Sequence, residues 1–328
     1  MSTLPARRRG LHFALASALL MGTTPIFGKQ AIEAGVPPLG VVAIRTGASA
    51  ALLLLVLAAF RRRALYIYPL GLAGCLLAGG LNGLGSLFFY SGLARLDAGL
   101  AQLLFSLYPV FVAVLLYLDG QRHTPLTLLR LGLSLPAIVL LTRATSGGVD
   151  LQPALYLLLA GMLYALHIPI NERILYEAPA PTVTFYTLVA MAVVVIPAYA
   201  LASPRMGPLN AVGTLSLAGL TAVTFLSRLT LFAGVKHAGG MQASLLGLAE
   251  LLMAVGLAHV WLHENLAPGQ WIGAGLLVLA LLLTGKDSGL RLSRRGRGWL
   301  HWLRPPLPAE SHRPLDPPSA LAQTSASR

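Results

Sequence analysis

Ten apolar runs fill the chain from Leu11 to Gly285, with only short polar breaks between them. Each is close to the roughly 20 residues that an α-helix needs to cross a bilayer. They cover 11–32, 38–60, 68–93, 97–118, 124–142, 153–171, 181–202, 211–235, 240–262 and 268–285. Backbone groups in hydrocarbon find no water to bond, so consecutive runs of this kind must be helices whose hydrogen bonds close within each segment. The expected fold class is an all-α integral membrane protein with ten transmembrane helices. Composition agrees, because 56% hydrophobic and 11% charged residues leave too little polar sequence to coat a water-exposed surface. The breaks carry turn formers, such as Pro37 with Pro38, Ser146 with Gly147 and Gly148, and Pro204 with Pro208, and none of them has room for a soluble domain.

The last part of this pattern repeats an earlier one. Sliding Leu231–Gly285 back by 142 positions sets Gly234 on Gly92, Ala243 on Ala101, Leu245 and Leu246 on Leu103 and Leu104, and Leu257 on Leu115; one deleted residue later, Gly273 falls on Gly132. Duplicated membrane segments are a mark of transport proteins. Two five-helix repeats are expected, 11–142 and 153–285. Five is odd, so the second repeat begins on the opposite side from the first. The repeats are then inverted, with a site near the midplane between them.

The net charge of +13 comes from arginines that flank apolar spans, a pattern that points to lipid headgroups and topology and not to nucleic acid. A cytoplasmic N-terminus, residues 1–10, places Arg7–Arg9, Arg61–Arg63, Arg122, Arg173 and Lys236 inside and only Arg95, Arg143 and Arg205 outside. Both termini are therefore expected in the cytoplasm. Arg7–Arg9 followed by apolar sequence has the start of a signal-peptide pattern, but the run before Ala16-Ser17-Ala18 is too short and continues to Ile32, so a retained first helix is expected. Residues 286–328 change to a basic, Pro-rich composition with Arg294, Arg295, Arg297, Trp299 and Trp302. This tail is expected as an anchor on anionic lipid with no domain of its own. The single cysteine, Cys75, lies in an apolar run and is expected to be inert.

Certain residues recur in a telling order: Phe27-Gly28-Lys29, Pro38 followed by Arg45, the series Gly92-Leu93, Ala98, Ala101 and Pro109, then Gly234, Gly240, Glu250, and His263-Glu264-Asn265-Leu266 leading into Gln270-Trp271-Ile272-Gly273. In this order and duplicated, they resemble the ten-helix EamA type of the drug/metabolite transporter superfamily. The likeness covers nearly all of the apolar part of the chain. It implies two five-helix repeats and export or exchange of small metabolites, often amino acids, across the bacterial inner membrane. Two positions depart from that pattern. Arg122 stands where the first repeat usually carries a glutamate like Glu264, and Leu251 stands where a proline often follows the position of Glu250, so span nine is expected to be less kinked.

A charge inside the bilayer costs about 2.5–3.5 kcal/mol on insertion scales, so each one needs a reason. Arg45 and Arg228 lie roughly 10 Å from the nearer end of spans two and eight, where they would give a cavity positive potential and a fork for a carboxylate or phosphate. Lys29, near the end of span one, either joins that lining or snorkels to the interface. Glu250 is about 15 Å from either end of span nine, too deep for its short side chain to reach water outside a cavity. It is a proton carrier, a substrate contact or half of a static ion pair. Pro25 and Pro169 fall at nearly corresponding places in the two repeats and are candidate hinges, while Pro109, Pro136 and Pro197 read as simple kinks. Asn82, Tyr90, Gln102, Tyr108, His167, Asn171 and Gln242 are candidates to line a polar cavity, each with helix-helix adhesion as its alternative. Gly79 and Gly83 form a GxxxG pair for close packing.

His259 and His263 have a metal-chelating spacing, but the HExxH-like string that His263 begins fails at Ala267, and no metal or other cofactor is expected. No phosphate-binding Gly-rich loop or Ser/His/Asp arrangement is found, so neither ATP-driven transport nor enzymatic chemistry is expected. The expected partners are a small-molecule substrate, a proton as coupling ion, and membrane lipid. The leading expectation is a secondary transporter exporting amino acids or related carboxylates by alternating access. The rivals are a nucleotide-sugar or organophosphate antiporter, a drug exporter of the same superfamily, and a non-transporting membrane scaffold or sensor.

Overall fold

The structure, a computed structural model, describes residues 4–96, 98–120, 123–142, 151–202, 209–261, 268–283, 300 and 303. Arg122, Arg143, Arg205, the His263–Leu266 stretch and all of the tail except Leu300 and Leu303 lie outside the described residues. Among the described residues, helices fill every apolar run. Run one holds α1 (Leu4–Met21) and α2 (Thr24–Glu33); α3 (Pro38–Phe60) and α4 (Pro69–Leu93) follow, then α5 (Ala98–Phe105) and α6 (Tyr108–Leu118) in run four, and α7 (Pro125–Thr142). The second half consists of α8 (Leu151–Leu175), α9 (Ala180–Ala202), α10 (Ala211–Ala238), α11 (Gly240–Leu246) with α12 (Leu248–Trp261), and α13 (Pro268–Leu282). Among the described residues, six segments are long and apolar enough to cross a membrane: Arg8–Glu33, Pro38–Phe60, Pro69–Leu93, Leu151–Leu175, Ala180–Ala202 and Ala211–Ala238. The chain is a multi-pass membrane protein.

Prolines open several helices, at the first turn of α2, α3, α4 and α6, where a missing N–H costs no intrahelical bond. The Asn210 side chain caps α10 by accepting from Gly213 N–H at 2.7 Å. Gly239, at φ 89°, turns the chain from α10 into α11, a conformation that favours glycine.

The breaks within runs have local causes. Pro25 cannot donate to the Met21 carbonyl, and the helix parts at Gly22 and Thr23 just before it. Pro109 does the same at the start of α6, so it separates two helices and is not the simple kink that the sequence suggested. Pro136 and Pro197 stay inside continuous helices. Pro169 also lies inside an unbroken helix, contrary to the expectation of paired breaks at Pro25 and Pro169. Beside it in the same helix, the His167 ring nitrogen meets Tyr164 O, and Asn171 Nδ2 donates to His167 O at 2.9 Å. The second repeat breaks instead in span nine, at Gly247, although Leu251 argued for a straighter helix. The Tyr108 hydroxyl donates to Ser244 O at 3.2 Å and occupies the place a Gly247 side chain would need, so it wedges into the helical ladder.

Packing follows the duplication. The first helix of each repeat packs on the third span of the other: α1 on α10, and α8 on α4. Span two packs on span two (α3 on α9) and span five on span five (α7 on α13). The α1–α10 and α8–α4 pairs are antiparallel. Gly10 lies beside His237 and Gly234 beside Ala14, just as Gly74 lies beside Ile174 and Gly92 beside Leu157. The Gly79–Gly83 pair does what its spacing suggests, since a Cβ at Gly79 would stand 2.5 Å from Thr187 O and Ala190 Cβ of α9. One end of the bundle, called here the N-terminal face, gathers Gly10, residues 61–66, 178–182 and the end of α10. It is tied by Thr182 Oγ1 to Ala64 O at 2.7 Å and Lys236 Nζ to Ala178 O at 2.8 Å.

Candidate functional site

The breaks and the cross-repeat packing surround a partly open cavity, with about 430 Å³ of space between its lining atoms, mouth included. α3 contributes Arg45, α4 Asn82, Ser86 and Tyr90, α5 Gln102, α8 Tyr164, α10 Arg228 and α12 Glu250. Both repeats therefore build it. Its three charged residues are almost fully buried, Arg45 at 6%, Arg228 at 4% and Glu250 at 3% exposure.

Each guanidinium is held without neutralisation. Arg45 donates to Thr224 Oγ1 at 3.1 Å and Ser86 Oγ at 3.4 Å and lies over the Tyr90 ring, 5.0 Å from its centroid. Arg228 is 5.6 Å from the Tyr164 ring centroid and donates to His167 Nε2 at 3.4 Å. That bond sets the histidine tautomer: Nε2 accepts, so Nδ1 carries the proton and donates to Tyr164 O. With the Asn82 amide turned so that its oxygen faces the guanidinium, this oxygen accepts from both Arg228 Nη atoms at 2.9 and 3.0 Å.

Glu250 accepts from Gln102 Nε2 at 2.9 Å. Among the described residues no basic side chain comes within 4.0 Å of it, so it is hydrogen-bonded and not salt-bridged. The helix break in span one meets it, because a side chain at Gly22 would run into Glu250 O and Met253 Cβ at 2.7 and 2.6 Å. Among the described residues, three buried polar atoms on cavity-lining residues have no protein partner: Arg45 Nε, Tyr90 Oη and Gln102 Oε1. Buried polar groups without partners carry a desolvation cost of about 1–3 kcal/mol each. Here they are free to bond whatever enters.

The other candidates from the sequence fall elsewhere. Lys29 Nζ donates to the carbonyls of Leu93 at 3.4 Å and Leu96 at 3.2 Å, which caps α4 and does not line the cavity. Asn171 bridges His167 O and Thr187 Oγ1 as helix-helix adhesion. Gln242 accepts from Arg130 Nη1 at 2.9 Å, in a separate buried cluster where Arg130 Nε also reaches Ala280 O at 3.1 Å. Tyr108 stands beneath the cavity in a ring layer with Tyr164 (centroids 4.9 Å apart) and His167 (4.5 Å from Tyr164), on the side toward the N-terminal face.

Arg130 escaped the sequence reading although it is an arginine inside an apolar run, the same signal that singled out Arg45. Asp119 and Glu172 escaped it, and Arg173 was read only as a flanking charge, because they stand at span ends, where charge needs no explanation. In the structure all three are buried, with Arg173 paired to Asp119. Tyr164, inside an apolar run, carried the same signal as Tyr90 and Tyr108 and was passed over.

A helical membrane bundle made of two similarly packed halves, with a charged cavity on the seam, is the architecture of a carrier. The sequence matches the EamA-like transporter family over residues 8–143 and again over 151–286, and the chain belongs to that family, whose members are transporters of the drug/metabolite type. A crystal structure of another protein aligns with a TM-score of 0.69 at 19% identity, covering 84% of this chain and 96% of that one, which supports the fold alone. No curated protein matches the sequence.

Proposed function

We propose that the chain is a secondary active transporter that exports small zwitterionic or carboxylate metabolites, amino acids foremost, across the bacterial inner membrane in exchange for protons. The observation that carries this reading is the pairing of two un-neutralised arginines with one unpaired carboxylate around a single cavity. A cargo carboxylate bonds the Arg45 and Arg228 forks, to which the free Arg45 Nε adds a donor. A cargo ammonium bonds Glu250. Proton and ammonium then compete for the same carboxylate, which couples departure of one to arrival of the other. Glu250 also disfavours phosphorylated cargo, whose two negative charges it repels.

In this reading the ten runs are ten membrane crossings, grouped as inverted repeats 11–142 and 153–285, with residues 1–10 and 286–328 on the cytoplasmic side. The N-terminal face is then the cytoplasmic one. Alternating access rocks the halves about the breaks at Gly22–Thr23, Ser106–Leu107 and Gly247. Pro25 and Pro109 work as break-setting residues, while Pro169 moves with a rigid α8. The test is efflux from proteoliposomes loaded with a labelled amino-acid mixture or with labelled sugar phosphates. Release of amino acids alone is expected. Release of sugar phosphates alone, or of nothing from folded protein, overturns the assignment.

A further inference from the structure

The chain leaves α3 through three successive arginines, Arg61, Arg62 and Arg63, all of them exposed. Together with Phe60, Ala64, Pro179 and Pro181 they line an open pocket at the N-terminal face, with about 910 Å³ of space between its lining atoms, mouth included. Residues 60–64 belong to the first repeat and Pro179 and Pro181 to the second, so the pocket lies on the seam where α3 meets α9. Among the described residues no carboxylate comes within 4.0 Å of these guanidinium groups. Of the three side chains only Arg62 bonds a described residue, through Nε to Ala58 O at 2.9 Å, which leaves both of its Nη groups to a ligand.

This basic turn is held in place. The Tyr186 hydroxyl donates to Leu65 O at 2.6 Å and Thr182 Oγ1 to Ala64 O at 2.7 Å, both from the first part of α9. Ala64 and Leu65 also pack on a small apolar core of Leu53, Leu57, Phe185 and Leu188. The facing wall is two prolines, whose fixed φ stiffens the entry to α9. Arginines that serve topology alone need neither a wall nor a pinned backbone. Two chemistries meet in the pocket. Guanidinium forks match phosphate oxygens, and Phe60, like Leu52 and Leu55 earlier in α3, is an exposed apolar residue of the kind that acyl chains cover. A free phosphate ion would use only the arginines, whereas a phospholipid at the end of a membrane-crossing helix uses both. We propose that this pocket binds the headgroup of an anionic phospholipid, with an acyl chain at Phe60, and that the bound lipid bridges the two repeats. The inference rests on the membrane location of the bundle and not on the transport reading.

The test titrates the purified full-length chain in detergent with phosphatidylglycerol, with phosphatidylcholine of the same acyl chains, and with glycerol phosphate. Native mass spectrometry reads the Kd of the first molecule bound. Phosphatidylglycerol should bind roughly tenfold or more tightly than phosphatidylcholine, a factor that corresponds to about 1.4 kcal/mol, and glycerol phosphate should bind far more weakly than either lipid. Arg61→Gln with Arg62→Gln and Arg63→Gln should reduce the preference to within about twofold. Arg294→Gln with Arg295→Gln and Arg297→Gln, which removes basic charge from the tail instead, should preserve it. Thr182→Val with Tyr186→Phe keeps every charge but unties the turn, and should weaken the preference by about threefold or more through lost preorganisation. This pair also serves if the chain without Arg61–Arg63 does not insert, and a diffuse positive surface would not respond to it. A preference that survives the loss of Arg61–Arg63, that survives untying of the turn, or that disappears with the tail arginines overturns the proposal. Glycerol phosphate binding as tightly as phosphatidylglycerol overturns the assignment to lipid.

Discussion

Asn82 gives the sharpest test of how the cavity holds its charge. Its amide oxygen accepts from both Nη atoms of Arg228, and the remaining contacts of that guanidinium are His167 Nε2 at 3.4 Å and the Tyr164 ring. Asn82→Leu keeps the volume and removes the acceptor, leaving a buried cation underbonded. Hydrogen bonds to charged groups are worth about 1.5–3 kcal/mol, and because the two bonds share one oxygen the loss is expected within that range and not at twice it. Asn82→Asp instead puts a carboxylate at the same distance, keeps both bonds and neutralises the guanidinium. The first variant should unfold earlier than wild type; the second should not, yet it should raise KM for a carboxylate cargo by roughly tenfold, since each 1.4 kcal/mol is a factor of ten. The assay is already in the molecule. Cys75 is the single cysteine and is buried, so a thiol-reactive fluorophore reports unfolding as the temperature rises. An Asn82→Leu protein as stable as wild type, or an Asn82→Asp transporter with unchanged KM, refutes the assignment of Asn82 as the partner that holds Arg228 for substrate.

Neighbouring glycines should behave oppositely in the same unfolding assay: Gly79→Leu drives a side chain into Thr187 and Ala190 of α9 and should cost at least the 1–3 kcal/mol typical of overpacking (about), whereas Gly80→Leu, with nothing within 4 Å of its Cβ, should be close to neutral. Lys29→Met should lower stability by about 1 kcal/mol through loss of the α4 cap, and kinetic measurements should give an unchanged KM, because the ammonium bonds Leu93 and Leu96 carbonyls outside the cavity lining.

Much of this architecture is legible in the sequence because a bilayer leaves little choice. Apolar runs placed α3 at 38–60, the residues it occupies in the structure, and the 142-residue register anticipated two similar halves. The deep charges Arg45, Arg228 and Glu250 were also legible, since a lone charge in hydrocarbon demands a reason. What the sequence concealed is long-range. Gly247 breaks because of a hydroxyl from Tyr108, far away in the chain, and Pro169 stays inside an unbroken α8. Lys29 and Gln242 were read as cavity candidates from residue type alone, and only packing reveals that they bond a helix end and Arg130. The same register pairs Arg228 with Ser86 and Glu250 with Tyr108, so the cavity's charges are not duplicated with the repeats. Similar halves thus enclose an asymmetric site.

The central claim is that Glu250 exchanges a proton for cargo in this cavity, and the most direct measurement is amino-acid efflux from proteoliposomes with and without an imposed pH gradient, for wild type and Glu250→Gln. Gradient-driven efflux by wild type, with the response lost in a Glu250→Gln protein that still unfolds at the wild-type temperature, is the predicted result. An undiminished response in Glu250→Gln contradicts the account.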